Sequence, residues 1–195
     1  MRNTTFKIIL VACIVLLTHG LQARTQIYKP TSDSYIMVKG SSTIHDWEMI
    51  SETINSEARF KMNDDGQPEQ LESVSFSLKK RTLQSDKSGL DRRAYDALNA
   101  GRYPEITFRT NGTGRFEKNG DNYQIISNGE LTIAGNTRQI NVRATCVNGD
   151  DKKLICSGSQ KLKMTDYNID PPVMMLGALR TGDEVTISYN IVYAR

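Results

Sequence analysis

Any chemistry in this chain has to pass through very few side chains. Of the two histidines, His19 lies in an apolar leader and His45 stands in Ser41-Ser42-Thr43-Ile44-His45-Asp46-Trp47. A single imidazole excludes zinc sites built on several histidines of one chain, and it is the only base open to serine–histidine or cysteine–histidine catalysis. His45 and Asp46 are neighbours, so on an extended strand they point to opposite faces and do not act as an oriented pair. Ser41 and Ser42 lack the Gly-x-Ser-x-Gly elbow of an esterase nucleophile. The expectation is a protein that is not an enzyme, with no catalytic residue, no metal site and no cofactor. His45 shares strand parity with Trp47 and Met49. That face either forms a largely apolar wall with one titratable group, or buries Trp47 as a core plug and leaves His45 in solvent.

The three cysteines divide in the same way. Cys13 falls in the leader, whereas Cys146 and Cys156 flank the turn residues Asn148-Gly149-Asp150-Asp151. A hairpin centred on Asp151 opposes Val147 to Ile155 and Cys146 to Cys156, at a Cα separation of about 4.5 to 5.5 Å that a disulfide tolerates. Two buried free thiols are the alternative.

Met1 to Ala23 reads as a secretory signal peptide: Arg2 and Lys7, an apolar run from Ile8 to Leu17, then the small Ala23 at a cleavage edge. The apolar run is shorter than the about 20 residues that a membrane-spanning helix needs. Residues 24–195 are then one domain, periplasmic or secreted, in a compartment that permits disulfides. The formal charge of +3 loses Arg2 and Lys7 with the leader, which brings the remainder close to neutral. A neutral chain whose basic groups are as short as Lys79-Lys80-Arg81 and Lys152-Lys153 has no electrostatic footprint for nucleic acid.

What positions these residues is a series of strands. From Ser34 onward, apolar residues alternate with polar ones between Gly and Asn turns, which predicts antiparallel strands with one buried face. Ile54, Ser56, Ala58, Phe60 and Met62 share one face; Val74, Phe76 and Leu78 share another. Ile106 and Phe108, Tyr123 and Ile125, Leu131 and Ile133, Leu154, Cys156, Leu162 and Met164, and Val185 to Tyr193 repeat the pattern. One helix is expected over Leu90 to Ala100, with Asp91 in its first turn and Gly101 past its end. The fold class is all-β, a single antiparallel barrel of about eight strands with one short α-helix. Midway along the inward faces the residues are small: Ser56 and Ala58, Ser127 and Gly129, Ala144, Gly158. Interiors are close-packed, so this girdle must be filled by a ligand, by the helix or by Trp47.

The order of several segments resembles the YceI-like family of exported polyisoprenoid-binding proteins. They are Val38-Lys39-Gly40-Ser41-Ser42-Thr43-Ile44-His45-Asp46-Trp47, the helix end Asp96 to Ala100, Tyr103-Pro104-Glu105-Ile106-Thr107-Phe108, Gly129-Glu130-Leu131-Thr132-Ile133-Ala134-Gly135-Asn136-Thr137 and Gly182-Asp183-Glu184-Val185-Thr186-Ile187. The resemblance implies a lipocalin-like barrel whose interior takes a long-chain isoprenoid or another apolar lipid, for transport or sequestration. On such a barrel the expected cavity lining is the set of inward residues Trp47, Met49, Ala58, Phe60, Phe76, Leu78, Leu98, Phe108, Leu131, Ile133 and Met164 read from the strands and the helix, with Met174 and Leu176 from the apolar loop Pro171 to Leu179. His45 and Arg102 are the expected polar contacts. Peripheral membrane contact is compatible with this reading. The alternative is an envelope stress or interaction protein whose barrel is filled by its own side chains.

Overall fold

The computed structural model describes residues 24–195; the expected signal peptide, Met1 to Ala23, lies outside the described residues. Twelve strands and one helix follow in chain order: β1 (Arg24–Pro30), β2 (Tyr35–Ser42), β3 (Trp47–Ser51), β4 (Asn55–Met62), β5 (Pro68–Lys79), α1 (Ser88–Ala97), β6 (Glu105–Thr110), β7 (Arg115–Asn119), β8 (Asn122–Ile133), β9 (Asn136–Asn148), β10 (Leu154–Lys163), β11 (Val173–Met174) and β12 (Leu179–Ala194). Every pairing is antiparallel. Strands β1-β4-β5-β6-β8-β9-β10-β12 form a ring that β1 and β12 close through Lys29 opposite Ala194 and Pro30 opposite Tyr193. The expected closed barrel of eight strands is therefore present.

Strand β12 is long enough to do two jobs. Its C-terminal end closes the ring with β1, while Thr181 to Asn190 pair with β2, which in turn pairs with β3. The β2–β3 hairpin reaches the segment after β5 through reciprocal hydrogen bonds of 2.8 Å between Ile50 and Gln84. The barrel thus has a tightly packed end, rimmed by β1, and an open end built from β3, α1 and the loop before β12. Closure pairs the ring strands with one another and so removes the ring's own free edges, which are sites of strand aggregation; β3 remains a sheet edge outside the ring.

Strand β1 corrects the sequence reading, which begins its strands at Ser34. Its apolar Ile27 faces out at 42% exposure, and only Tyr28 is buried, so the segment carries no apolar face for periodicity to detect. Tyr28 packs edge-on against Phe60 at 5.6 Å between ring centroids, and Arg195 donates to its hydroxyl at 2.7 Å. The same end holds the disulfide, Cys146 to Cys156, with Val147 opposite Ile155 as expected. Closing so short a loop stabilises the folded state by about 3 kcal/mol in the chain-entropy account.

Helix α1 occupies Ser88–Ala97 rather than the expected 90 to 100, and Gly101 does not stop it. Asn99 takes the left-handed position at φ 51°, its N–H donating to Asp96 O and the Ala100 N–H to Tyr95 O, both at 2.9 Å. This pair of bonds satisfies the last carbonyls of the helix, so the turn ends two residues before the glycine. Asp91 Oδ1 accepts from the N–H and Oγ of Ser85, and Tyr95 Oη donates to Leu83 O at 2.6 Å, which ties the helix to the chain leaving β5.

A buried lysine provides the other tether. Lys80 continues the inward parity of Phe76 and Leu78, is fully buried, and donates from Nζ to Leu98 O at 2.7 Å at the C-terminus of α1. A cation there meets the negative end of the helix dipole. Burial lowers its pKa from 10.5 to about 8. Above about pH 8 the folded chain releases a proton that the unfolded chain retains, so this group makes stability rise with pH up to about 10. Beyond that the half-buried Tyr189 and the buried Tyr193, whose pKa values burial raises, reverse the trend, because the unfolded chain then ionises first. Urea unfolding of wild type and Lys80→Met at about pH 7.5 and 9.5 is expected to show the rise only in wild type. Equal pH dependence in both would exclude Lys80 as its source.

Candidate functional site

Two chambers run along the barrel axis. The outer one, about 750 Å³, opens at the mouth. The inner one, about 190 Å³, lies behind it among the β-strands. Val38, Leu83, Ile106, Leu162 and Ile187 belong to the walls of both, so the two chambers adjoin across these side chains. The outer chamber by itself falls in the range of sites that enclose a small ligand, about 300 to 1,000 Å³, and the inner one is smaller than that range.

Strand parity places the wall residues on strands, while α1 and the loops at the mouth supply the rest. His45, Trp47, Met49, Leu98, Ile133, Met164 and Met174 line the outer chamber. Ala58, Phe60, Phe76, Leu78, Phe108 and Leu131 line the inner one. Trp47 is a wall residue: its ring lies across Gly40, where a Cβ would approach it to under van der Waals contact, and its Nε1 donates to Ser41 O at 3.1 Å. His45 is exposed at the rim and does not pair with Asp46; its ring nitrogen lies 3.0 Å from the Asp46 backbone oxygen.

Two expected contacts fail. Leu176 lines neither chamber and is fully exposed, because φ 53° turns its side chain away from the barrel while Met174 points in. Arg102 is exposed and stacks on Tyr103, its guanidinium 5.4 Å from the ring centroid, outside the cavity. The basic rim groups are Lys87, Arg93 and Lys163, interspersed with Asp46, Glu48 and Asp86. Leu162 and Ile187, at the junction of the chambers, are absent from the expected contacts although their inward parity was readable.

The girdle of small residues is filled in part by aromatic rings rather than by the helix or Trp47. Phe108 lies across Gly129 and Tyr189 across Gly158. The Tyr189 hydroxyl donates to Arg143 O at 2.5 Å, and burial pushes its pKa up to about 12. Tyr193 Oη and Ser56 Oγ are 2.9 Å apart. Small residues on one strand admit large ones from the next, and what remains is the inner chamber. Polar atoms in the walls are few. Ser127 Oγ and Tyr167 Oη are buried without a partner among the described residues, each at a cost of about 1 to 3 kcal/mol.

A closed antiparallel barrel with an apolar chamber at one end defines a lipocalin-like binding fold. The match to the model of the YceI-like domain, over residues 31–193, makes the chain a member of the YceI-like family. Among solved structures it is similar to Burkholderia cenocepacia BcnA at 16% identity and a TM-score of 0.64, covering 84% of this chain and 98% of that one. It is equally similar in fold to a polyisoprenoid binding domain from Saccharophagus degradans, at 10% identity and a TM-score of 0.64, over 87% and 98% of the two chains. No curated protein matches the chain.

Proposed function

We propose that this protein is an exported carrier or sequestering protein that holds a polyisoprenoid, or a lipid of similar length and apolarity, inside the barrel without acting on it. The observation that carries the reading is the pair of adjoining, mainly apolar chambers, the larger at the mouth and the smaller behind it, which meet at Leu162 and Ile187. A chain entering tail-first is held by apolar burial, at about 25 cal/mol per Å² removed from water. Its polar end stays at the rim, among Lys87, Arg93 and Lys163 and the neighbouring carboxylates. The Saccharophagus domain of like fold is described as polyisoprenoid binding, which supports the same substrate class here. The disulfide suits an oxidising compartment and supports export. A barrel filled by its own side chains is the competing reading, and the size of the outer chamber weighs against it.

Native mass spectrometry of protein recovered from the envelope of its own host tests both parts. The expected result is a polypeptide mass beginning at Arg24 plus an adduct that extracts as a prenyl lipid. Bare polypeptide that takes up no prenyl lipid on incubation would overturn the carrier reading. Recovery of an uncleaved chain would overturn the signal-peptide reading.

A further inference from the structure

Six large apolar side chains are exposed among the described residues, and four of them gather at the mouth: Ile44 at 69%, Val173 at 57%, Met175 at 74% and Leu176 at 110%. They sit on two loops that are tied together. The Thr43 N–H donates to Arg180 O at 3.0 Å, Thr43 Oγ1 donates to Ala178 O at 3.3 Å, and Ser42 pairs with Thr181. Along the same loops, neighbouring residues point the other way into the outer chamber: Trp47 beyond Ile44, and Pro172 and Met174 alternating with Val173 and Met175. The exposed lip and the cavity wall are thus two faces of one rim.

The backbone holds that lip out at a cost. Met175 and Leu176 both have positive φ, 52° and 53°, a region that bulky L residues seldom adopt. No burial within the chain compensates, since the side chains so displayed are exposed. Single exposed apolar residues are ordinary, but a cluster around a cavity mouth marks a contact surface. Rim charges of both signs stand beside it, Lys87, Arg93 and Lys163 with Asp46, Glu48 and Asp86, which matches a zwitterionic surface better than an anionic one. Four aliphatic side chains also fall short of the about 800 Å² per partner that a stable dimer buries, whereas a bilayer demands no complementary shape.

We propose that this lip seats the barrel mouth-down on a lipid bilayer, with Ile44, Val173, Met175 and Leu176 in the interface. An apolar chain then passes between membrane and cavity without crossing water. The transfer step rests on the carrier reading above; the docking does not.

The test is flotation of the protein, disulfide intact, with phosphatidylcholine vesicles that contain no prenyl lipid. Wild type is expected to float, at about 0.05 M and about 0.5 M salt alike, since apolar insertion is little screened. Met175→Asp with Leu176→Asp is expected to lower vesicle partition by about tenfold or more, with unchanged uptake of a polyprenol dispersed without vesicles. Failure of wild type to float, flotation lost at high salt, or flotation retained by the double variant would each overturn the proposal. So would a dimer in sedimentation that the double variant dissolves while vesicles leave wild type unbound. Flotation without any polyprenol uptake by wild type would uphold docking and remove the carrier reading.

Discussion

Ile187→Trp is expected to abolish high-affinity uptake of long prenyl chains while leaving the barrel folded. Ile187 points inward from β12, opposite Val38 on one side and Gln160 on the other, at the junction of the two chambers. Ile187 packs against the core cluster on one side and borders both chambers on the other, so an indole there carries the usual overpacking cost of about 1 to 3 kcal/mol. Binding suffers more, because each roughly 55 Å² of apolar chain kept out of the inner chamber costs about tenfold in affinity. A prenyl alcohol short enough for the outer chamber should bind nearly as well to the variant as to wild type. Titration with a chain-length series measures the contrast. Unchanged affinity for the longest chains would show that they do not reach past Ile187.

Gly129→Ala should cost about 2 kcal/mol of folding stability, a large effect for one methyl group. A Cβ at Gly129 would fall against the Arg109 carbonyl on the paired strand and 2.5 Å from the Phe108 ring. The carbonyl is part of the β6–β8 ladder, where Thr110 opposes Gly129, so it cannot withdraw without breaking pairing. Phe108 is buried in the cluster with Leu131, Ile133, Tyr167 and Ile169 and has little room to turn. Gly101→Ala is the control, because nothing lies within 4 Å of its Cβ position; it should be close to neutral in the same urea titration. Phe108→Leu should cost less in the Gly129→Ala background than in wild type, and the coupling measures how much of the penalty is ring against methyl. A near-neutral Gly129→Ala would mean that the ring does not lie across the glycine.

Much of the cavity wall was legible because parity on a strand is strict. Once alternation assigns Phe76 and Leu78 to the inner face, they can line only the interior, and both do. The same rule, carried two residues further, places Lys80 inside. A charged side chain at the end of a strand reads as solvated, and only the packing of α1 onto that end buries it. Leu176 failed for a related reason. An irregular loop has no period, and a turn to positive φ reverses the direction of a side chain that composition alone would send inward.

By itself, the sequence of this YceI-like protein determined the antiparallel strands, the hairpin that opposes Cys146 to Cys156, the short helix and the small residues at mid-strand. All of these follow from local periodicity and turn chemistry. Tertiary structure decided the rest. Closure by β1 depends on Pro30 and Lys29 meeting the far end of the chain at Tyr193 and Ala194, a pairing that no local pattern encodes. The space inside depends on how far Phe108 and Tyr189 reach across Gly129 and Gly158 from neighbouring strands. A girdle of small residues states that room exists; only the placement of rings from other strands decides how much of it stays open.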